Sequence, residues 1–110
     1  MILLISDSFD YLAAEVEYAL SRNNTPYGRL NSDIELEYFY LGIGNDYLDI
    51  SIKSKESDFI KPLYCNVWHR RGQCFKFKVD SNVFESFLSI ESQYLFVGLI
   101  SILEVNSNTI

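Results

Sequence analysis

The stretch Val67-Trp68-His69-Arg70-Arg71-Gly72 gathers the side chains of this sequence best suited to polar chemistry. Two adjacent guanidinium groups at the C-terminal end of a strand are costly to place unless each is paired or faces a ligand. The strand ends of an open α/β sheet are also where ligands bind. A surface arginine pair in a turn is the plain alternative. Glu91 weighs against it, because residues 84, 87, 88, 91, 95, 98 and 102 share one helical face and all but Glu91 are apolar or glycine. A carboxylate within such a stripe needs a cation or several donors around it. Arg70 or Arg71 is the obvious cation, since guanidinium pairs with carboxylate bidentately. Alternation along a strand lets only one of the two reach the helix, leaving the other for a ligand or a neighbouring domain. An ion pair of Glu91 with Arg71 is therefore expected, against the alternative that Glu91 sits at the stripe's edge and reaches water.

The remaining reactive residue types do not assemble into an active site. His69 is the sole histidine; two arginines beside it would keep it neutral, and no serine or cysteine nucleophile accompanies it at a recognisable elbow. Cys65 is expected to pack in a strand. Cys74 lies near Arg71, Lys76 and Lys78, which would lower its pKa, but without a partner base. Two cysteines and one histidine are too few for a zinc site, and Asp46, Asp49, Glu56 and Asp58 lack calcium-loop spacing. Ser6-Asp7-Ser8-Phe9, at the first strand–helix junction, has no glycine, so neither a dinucleotide fingerprint nor a P-loop is present. No catalytic residue, cofactor ligand or metal ligand is expected in this chain.

The elements that would position these residues are an α/β set. Ile2-Leu3-Leu4-Ile5 is an uninterrupted aliphatic run, the pattern of a strand buried on both faces in a parallel sheet. Asp7 or Ser8 would cap a helix whose apolar positions are Phe9, Leu12, Ala13, Val16 and Leu20, closed by Asn23, Asn24 and Pro26. Tyr27 to Asn31 completes a β-α-β start. The period then changes: Ile34, Leu36, Tyr38 and Tyr40 alternate, Leu48, Ile50 and Ile52 alternate, and Gly42-Ile43-Gly44-Asn45-Asp46 between them has turn chemistry. This predicts an antiparallel hairpin, at the sheet edge or packed elsewhere. A strand around Val67-Trp68, an alternating run Phe75-Phe77-Val79 and a helix from Val83 to about Glu104, capped by Asp80-Ser81-Asn82, follow. Thr109-Ile110 carries no terminal feature. The tyrosines and phenylalanine at 38–40 read as sheet-face aromatics.

At 110 residues the chain is one domain, and its 48% hydrophobic and 15% aromatic content can build a core. The net charge of −6 repels phosphate backbones, so nucleic acid is not an expected partner and a cationic peptide or basic protein is easier to accommodate. No signal peptide or bilayer-length apolar run is visible, and no membrane partner is expected. Cytoplasm, with reduced thiols, is the expected location.

Four features in order give the chain a family likeness. Met1 to Ser8, Tyr27-Gly28-Arg29-Leu30-Asn31, Val67-Trp68-His69-Arg70-Arg71-Gly72, and the helix from Phe87 to Asn106 with its Glu91 together resemble the N-terminal, pre-ATP-grasp domain of ATP-grasp peptide maturases. These are the ligases of graspetide (microviridin-type) pathways, the grasp-with-spasm branch in particular. His69 departs from the pattern, standing where the family usually has an aromatic. The resemblance implies a three-layer Rossmann-like α/β fold, with a mostly parallel sheet and an antiparallel hairpin. In the full enzymes ATP and magnesium activate an acidic side chain of a precursor peptide as an acyl-phosphate, which a Ser, Thr or Lys attacks to give an ester or amide cross-link. Those groups belong to other domains, so the resemblance implies an accessory domain that is inactive alone, cut from a longer protein or encoded as a truncated or split gene. Its partners would be the ATP-grasp core, in the same or a neighbouring polypeptide, and the precursor peptide. Trp68, His69, Arg70 and Arg71 would face that core or the substrate. A second functional expectation, from charge and size, is a small acidic immunity or inhibitor protein that binds a basic toxin.

Overall fold

The computed structural model describes residues 1–72, 76–77, 82–106 and 108–109, with backbone alone for 77, 82–90, 106, 108 and 109. Cys74, Phe75, Val79 and the cap Asp80-Ser81 lie outside the described residues.

The strand β1 (Ile2–Ser6) is the centre of a parallel sheet. Leu3 and Ile5 point to one face and Leu4 and Ser6 to the other, and all four are buried, as the unbroken aliphatic run requires. The helix α1 (Tyr11–Arg22) leads to β2 (Tyr27–Asn31), which pairs in parallel with β1. After the hairpin described below and a 3-10 turn at Pro62–Tyr64, β5 (Asn66–His69) pairs in parallel with the other side of β1.

The hairpin strands β3 (Glu35–Gly44) and β4 (Tyr47–Ser54) do not extend this sheet. They form a second one, to which the two-residue strand β6 (Lys76–Phe77) adds in parallel beside β3. The turn is narrower than the glycine pattern suggests: Gly42 and Gly44 stay in register opposite Asp49 and Tyr47, and only Asn45 and Asp46 connect the strands. Near the chain's end β7 (Asn108–Thr109) pairs in parallel with β5, extending the first sheet to the order β2-β1-β5-β7. Two residues are too short to show any alternation, so this strand is invisible in the sequence.

One face of the parallel sheet meets α1, through Ala13. The other, carrying Leu3, Ile5, Leu30 and Val67, shares a core with Ile50 and Ile52 of the hairpin and with Phe96, Leu99 and Leu103 of α2 (Asn82–Asn106). The face that α2 buries is Ser92, Phe96, Leu99 and Leu103. Leu95 and Ile102 of the expected stripe are partly buried against the same core, whereas Glu91 and Gly98 are exposed, so the centre of the buried face lies to one side of that stripe. The helix is apolar nearly all round from Tyr94 to Val105, so more than one stripe can be drawn on it, and the sheet selects among them.

Candidate functional site

The polar site is built where β1 and β5 end and α1 begins. The chain leaves β1 after Ser6, and Asp10, immediately before Tyr11, is the residue that caps α1: its Oδ1 accepts from the N–H groups of Leu12 and Ala13 at 3.2 and 3.3 Å. Its Oδ2 accepts from Ser6 Oγ at 2.6 Å and from Arg70 Nε at 2.7 Å. Asp10 is only 1% exposed, so each of these donors replaces a lost water. Burial by itself would push the Asp10 carboxyl up. The Ser6 hydroxyl, the Ala13 N–H and the Arg70 guanidinium outweigh it and hold the group down at about 2.

Both arginines turn toward this acid, and the reason is local. The strand ends at His69, and the N–H groups of Arg70 and Arg71 both point at the carbonyl of Ile5, at 2.8 and 3.4 Å. Beyond that point alternation no longer separates the two side chains. Gly72 completes the bend with a φ of 114°, a conformation open to glycine. A Cβ there would also come within 3.0 Å of Ser32 and 3.3 Å of the Phe96 ring. Arg71 is half-exposed and only loosely held, its Nε 3.8 Å from Asp10 Oδ2 and its Nη1 3.9 Å from Asp7 Oδ2. Trp68, half-buried on the same face, lies under the Arg70 guanidinium at 6.0 Å.

His69 points the other way. Its ring meets Phe96 edge-on at 5.4 Å, and Nε2 lies 3.3 Å from the Gly72 carbonyl oxygen. The expected Glu91–Arg71 ion pair is not formed: Glu91 is exposed, and the acids Arg71 approaches are Asp10 and Asp7. The cause is the rotation of α2, which places Ser92 rather than Glu91 toward the core. Cys65 is buried, donates to the Lys61 carbonyl oxygen at 3.4 Å, and has its thiol pushed up by burial, the state of a packed, unreactive cysteine.

A second polar network adjoins the first. Arg29, on β2, donates to Glu17 Oε2 at 2.8 Å, to Asn31 Oδ1 at 2.9 Å and to the Asp7 carbonyl oxygen at 2.8 Å. Asp33 accepts from the Ser8 N–H at 2.9 Å and from the Ser8 hydroxyl, tying the β1–α1 loop to the β2–β3 loop. Burial opposes ionisation of Asp33, and the two Ser8 bonds overcome it, lowering its pKa. Beside these lies a cavity of about 300 Å³ whose polar walls include Ser8, Glu17, Arg29 and Glu56. These residues do not fit a nucleotide. Arg29 already makes three hydrogen bonds and is paired with Glu17, and the carboxylates of Glu17 and Glu56 would repel phosphate. Among the described residues no group of three or more His, Cys, Asp or Glu side chains is placed to hold a metal ion.

No protein-family model matches the chain, and no curated protein matches it either. Solved structures do. The macrocyclase MdnB from Microcystis aeruginosa MRC superposes with a TM-score of 0.74 at 19% identity, over 98% of this chain and 36% of MdnB. The chain has the fold of a segment of a peptide macrocyclase. A Chryseobacterium gregarium RiPP-associated ATP-grasp ligase, solved with ADP and a leader and core peptide, matches with a TM-score of 0.68 at 15% identity, over 89% of this chain and 31% of the ligase. The macrocyclase MdnC, bound with precursor peptide MdnA, gives 0.67 at 18%, over 91% and 33%. The chain spans about a third of the length of these macrocyclases and ligases. Their shared fold is the one implied by the resemblance that Val67 to Gly72 and the flanking segments carry.

Asp10 and Ser6 are the residues of this macrocyclase-like segment that sequence reasoning missed. Asp10 carries a visible signal, an N-cap residue type directly before a helical pattern, but Asp7 and Ser8 carry it too. Only the length of the loop after β1 decides among them.

Proposed function

We propose that this domain is the accessory part of an ATP-dependent peptide maturase, a graspetide-type ATP-grasp ligase that forms ester or amide cross-links between side chains of a ribosomal precursor peptide. The observation that carries this reading is the match to MdnB over 98% of the chain but only 36% of the macrocyclase. A domain of that kind contributes shape and docking surface, while ATP, magnesium and the acyl-phosphate chemistry belong to an ATP-grasp core in the same or a neighbouring polypeptide. The setting is the bacterial cytoplasm. The strand-end edge of Trp68, Arg70 and Arg71, with His69 on its opposite side, is the surface offered to that core or to the peptide. Arg71 is the member best placed to reach outward, because its own acids hold it at 3.8 and 3.9 Å only.

The test combines the chain with the ATP-grasp core encoded in frame or alongside it, a precursor peptide, ATP and magnesium. Phosphate release and the peptide's mass are then followed. The expected result is no ATP turnover by residues 1–110 alone, loss of water from the precursor when both parts are present, and weaker capture of the core by Arg71→Glu. ATP hydrolysis by the chain alone, or full cross-linking by a core that lacks it, would overturn the proposal.

A further inference from the structure

The outer face of the β3–β4 hairpin turns away from the core and carries an aromatic row. Alternation places Phe39 and Leu41 inward, toward α2, and Tyr38, Tyr40 and Gly42 outward, with Lys53, Ser51 and Asp49 opposite them on β4 and Tyr47 following opposite Gly44. Tyr38, Tyr40 and Tyr47 are 44%, 41% and 51% exposed. Phe59, 62% exposed, extends the row, meeting Tyr38 edge-to-face at 5.4 Å.

The row is organised rather than scattered. A Cβ at position 42 would fall 2.6 Å from the Tyr40 hydroxyl and 2.7 Å from Tyr47 Cε1, so both side chains lie across Gly42. Their hydroxyl oxygens are 3.4 Å apart. The bond to Tyr40, followed by burial, pushes the Tyr47 phenol up to about 12, which keeps it protonated. Carboxylates accompany these residues: Glu37 precedes Tyr38, Asp46 precedes Tyr47, Asp58 precedes Phe59, and Asp49 lies opposite Gly42. Lys53 pairs with Glu37 at 2.7 Å and Lys61 with Asp49 at 3.5 Å; among the described residues Asp46 and Asp58 have no ion pair.

We infer that this face binds a lysine- or arginine-bearing peptide segment, whose cations lie over the tyrosine rings and meet the accompanying carboxylates. Aromatic faces attract ammonium and guanidinium groups, and nearby carboxylates complete the recognition. Charge complementarity selects the occupant. A second copy of the chain would bring the same carboxylates, within a chain of net charge −6, against these. The assignment does not depend on the maturase proposal, since it rests on the hairpin alone.

The experiment is an NMR titration of the isotope-labelled chain with a short peptide alternating lysine or arginine with glycine, beside a control peptide carrying glutamine at each cation. Shifts are expected at 37–49 and 59 with the cationic peptide only. Tyr40→Ser with Tyr47→Ser should weaken binding by about tenfold, the loss expected for two aromatic contacts to a cation. Gly42→Ala, which displaces the rings without removing them, should also weaken it, and circular dichroism confirms that each variant folds. Shifts spread over every acidic surface, equal binding of the glutamine peptide, or unchanged affinity in the variants would each overturn the inference. Should the double variant fail to fold, the shift map of the unaltered chain still decides.

Discussion

Replacing Arg70 by methionine separates the ion pair at Asp10 from everything else at the strand end. Methionine keeps much of the aliphatic stem over Trp68 and deletes the guanidinium. Breaking a fully buried ion pair costs about 3–5 kcal/mol, whereas an exposed pair is worth about 0–1 kcal/mol. Arg70 is 29% exposed and hydrogen-bonds at 2.7 Å, and Ser6 and the α1 N–H groups continue to serve Asp10, so Arg70→Met should cost about 2 kcal/mol, between those limits. Arg71→Ala removes only contacts of 3.8 and 3.9 Å from a side chain that is half in water, and should stay within about 0.5 kcal/mol. Exposed Glu91→Gln should do the same. The assay is equilibrium urea unfolding, with equal m-values as the check that the unfolded state is unchanged. In an Asp10→Asn background, where the amide still caps α1, Arg70→Met should cost clearly less than in the parent. An Arg71→Ala or Glu91→Gln variant less stable than Arg70→Met, or strong coupling between positions 71 and 91, would refute the reasoning.

Two further outcomes follow from the same geometry. The folded Asp10 carboxyl lies below its unfolded value of 3.8, so its stabilising contribution is complete above that value and is lost as pH falls through about 2. Acid unfolding followed by fluorescence should therefore take up a proton between about pH 4 and 2, and Ser6→Ala should move that uptake to higher pH; an unshifted profile would contradict the Ser6 bond. Gly98 lies within α2, and a Cβ there meets nothing within 4 Å. Gly98→Ala should stabilise the chain by about 0.5–1 kcal/mol through helix propensity, which thermal melting would read as a Tm several degrees higher.

The longer strands were legible because their patterns admit one interpretation each, whereas the two-residue β7 left no pattern. Ile2 to Ile5 is apolar at every position, which only a doubly covered strand explains, and the two alternating runs name a hairpin. A register shift between Leu36 and Tyr38 nevertheless buries Leu36 and leaves Tyr38 and Tyr40 exposed rather than on its face. The ends of those elements were less legible. Gly42 reads as a turn residue, yet sits mid-strand beneath two tyrosines. The partner of the twin arginines was misassigned because Glu91 interrupts an apolar stripe that could be drawn on more than one side of α2.

Local order along the chain thus determined the α/β class, the βαβ start, the hairpin and the placing of Arg70 and Arg71 at a strand tip. Tertiary structure alone decided that the hairpin forms a separate sheet, that α2 turns Ser92 inward, and that Asp10 receives the guanidinium. The physical reason is that periodicity reports which residues share a face, whereas which acid meets which cation depends on how elements far apart in sequence rotate to bury the largest apolar area.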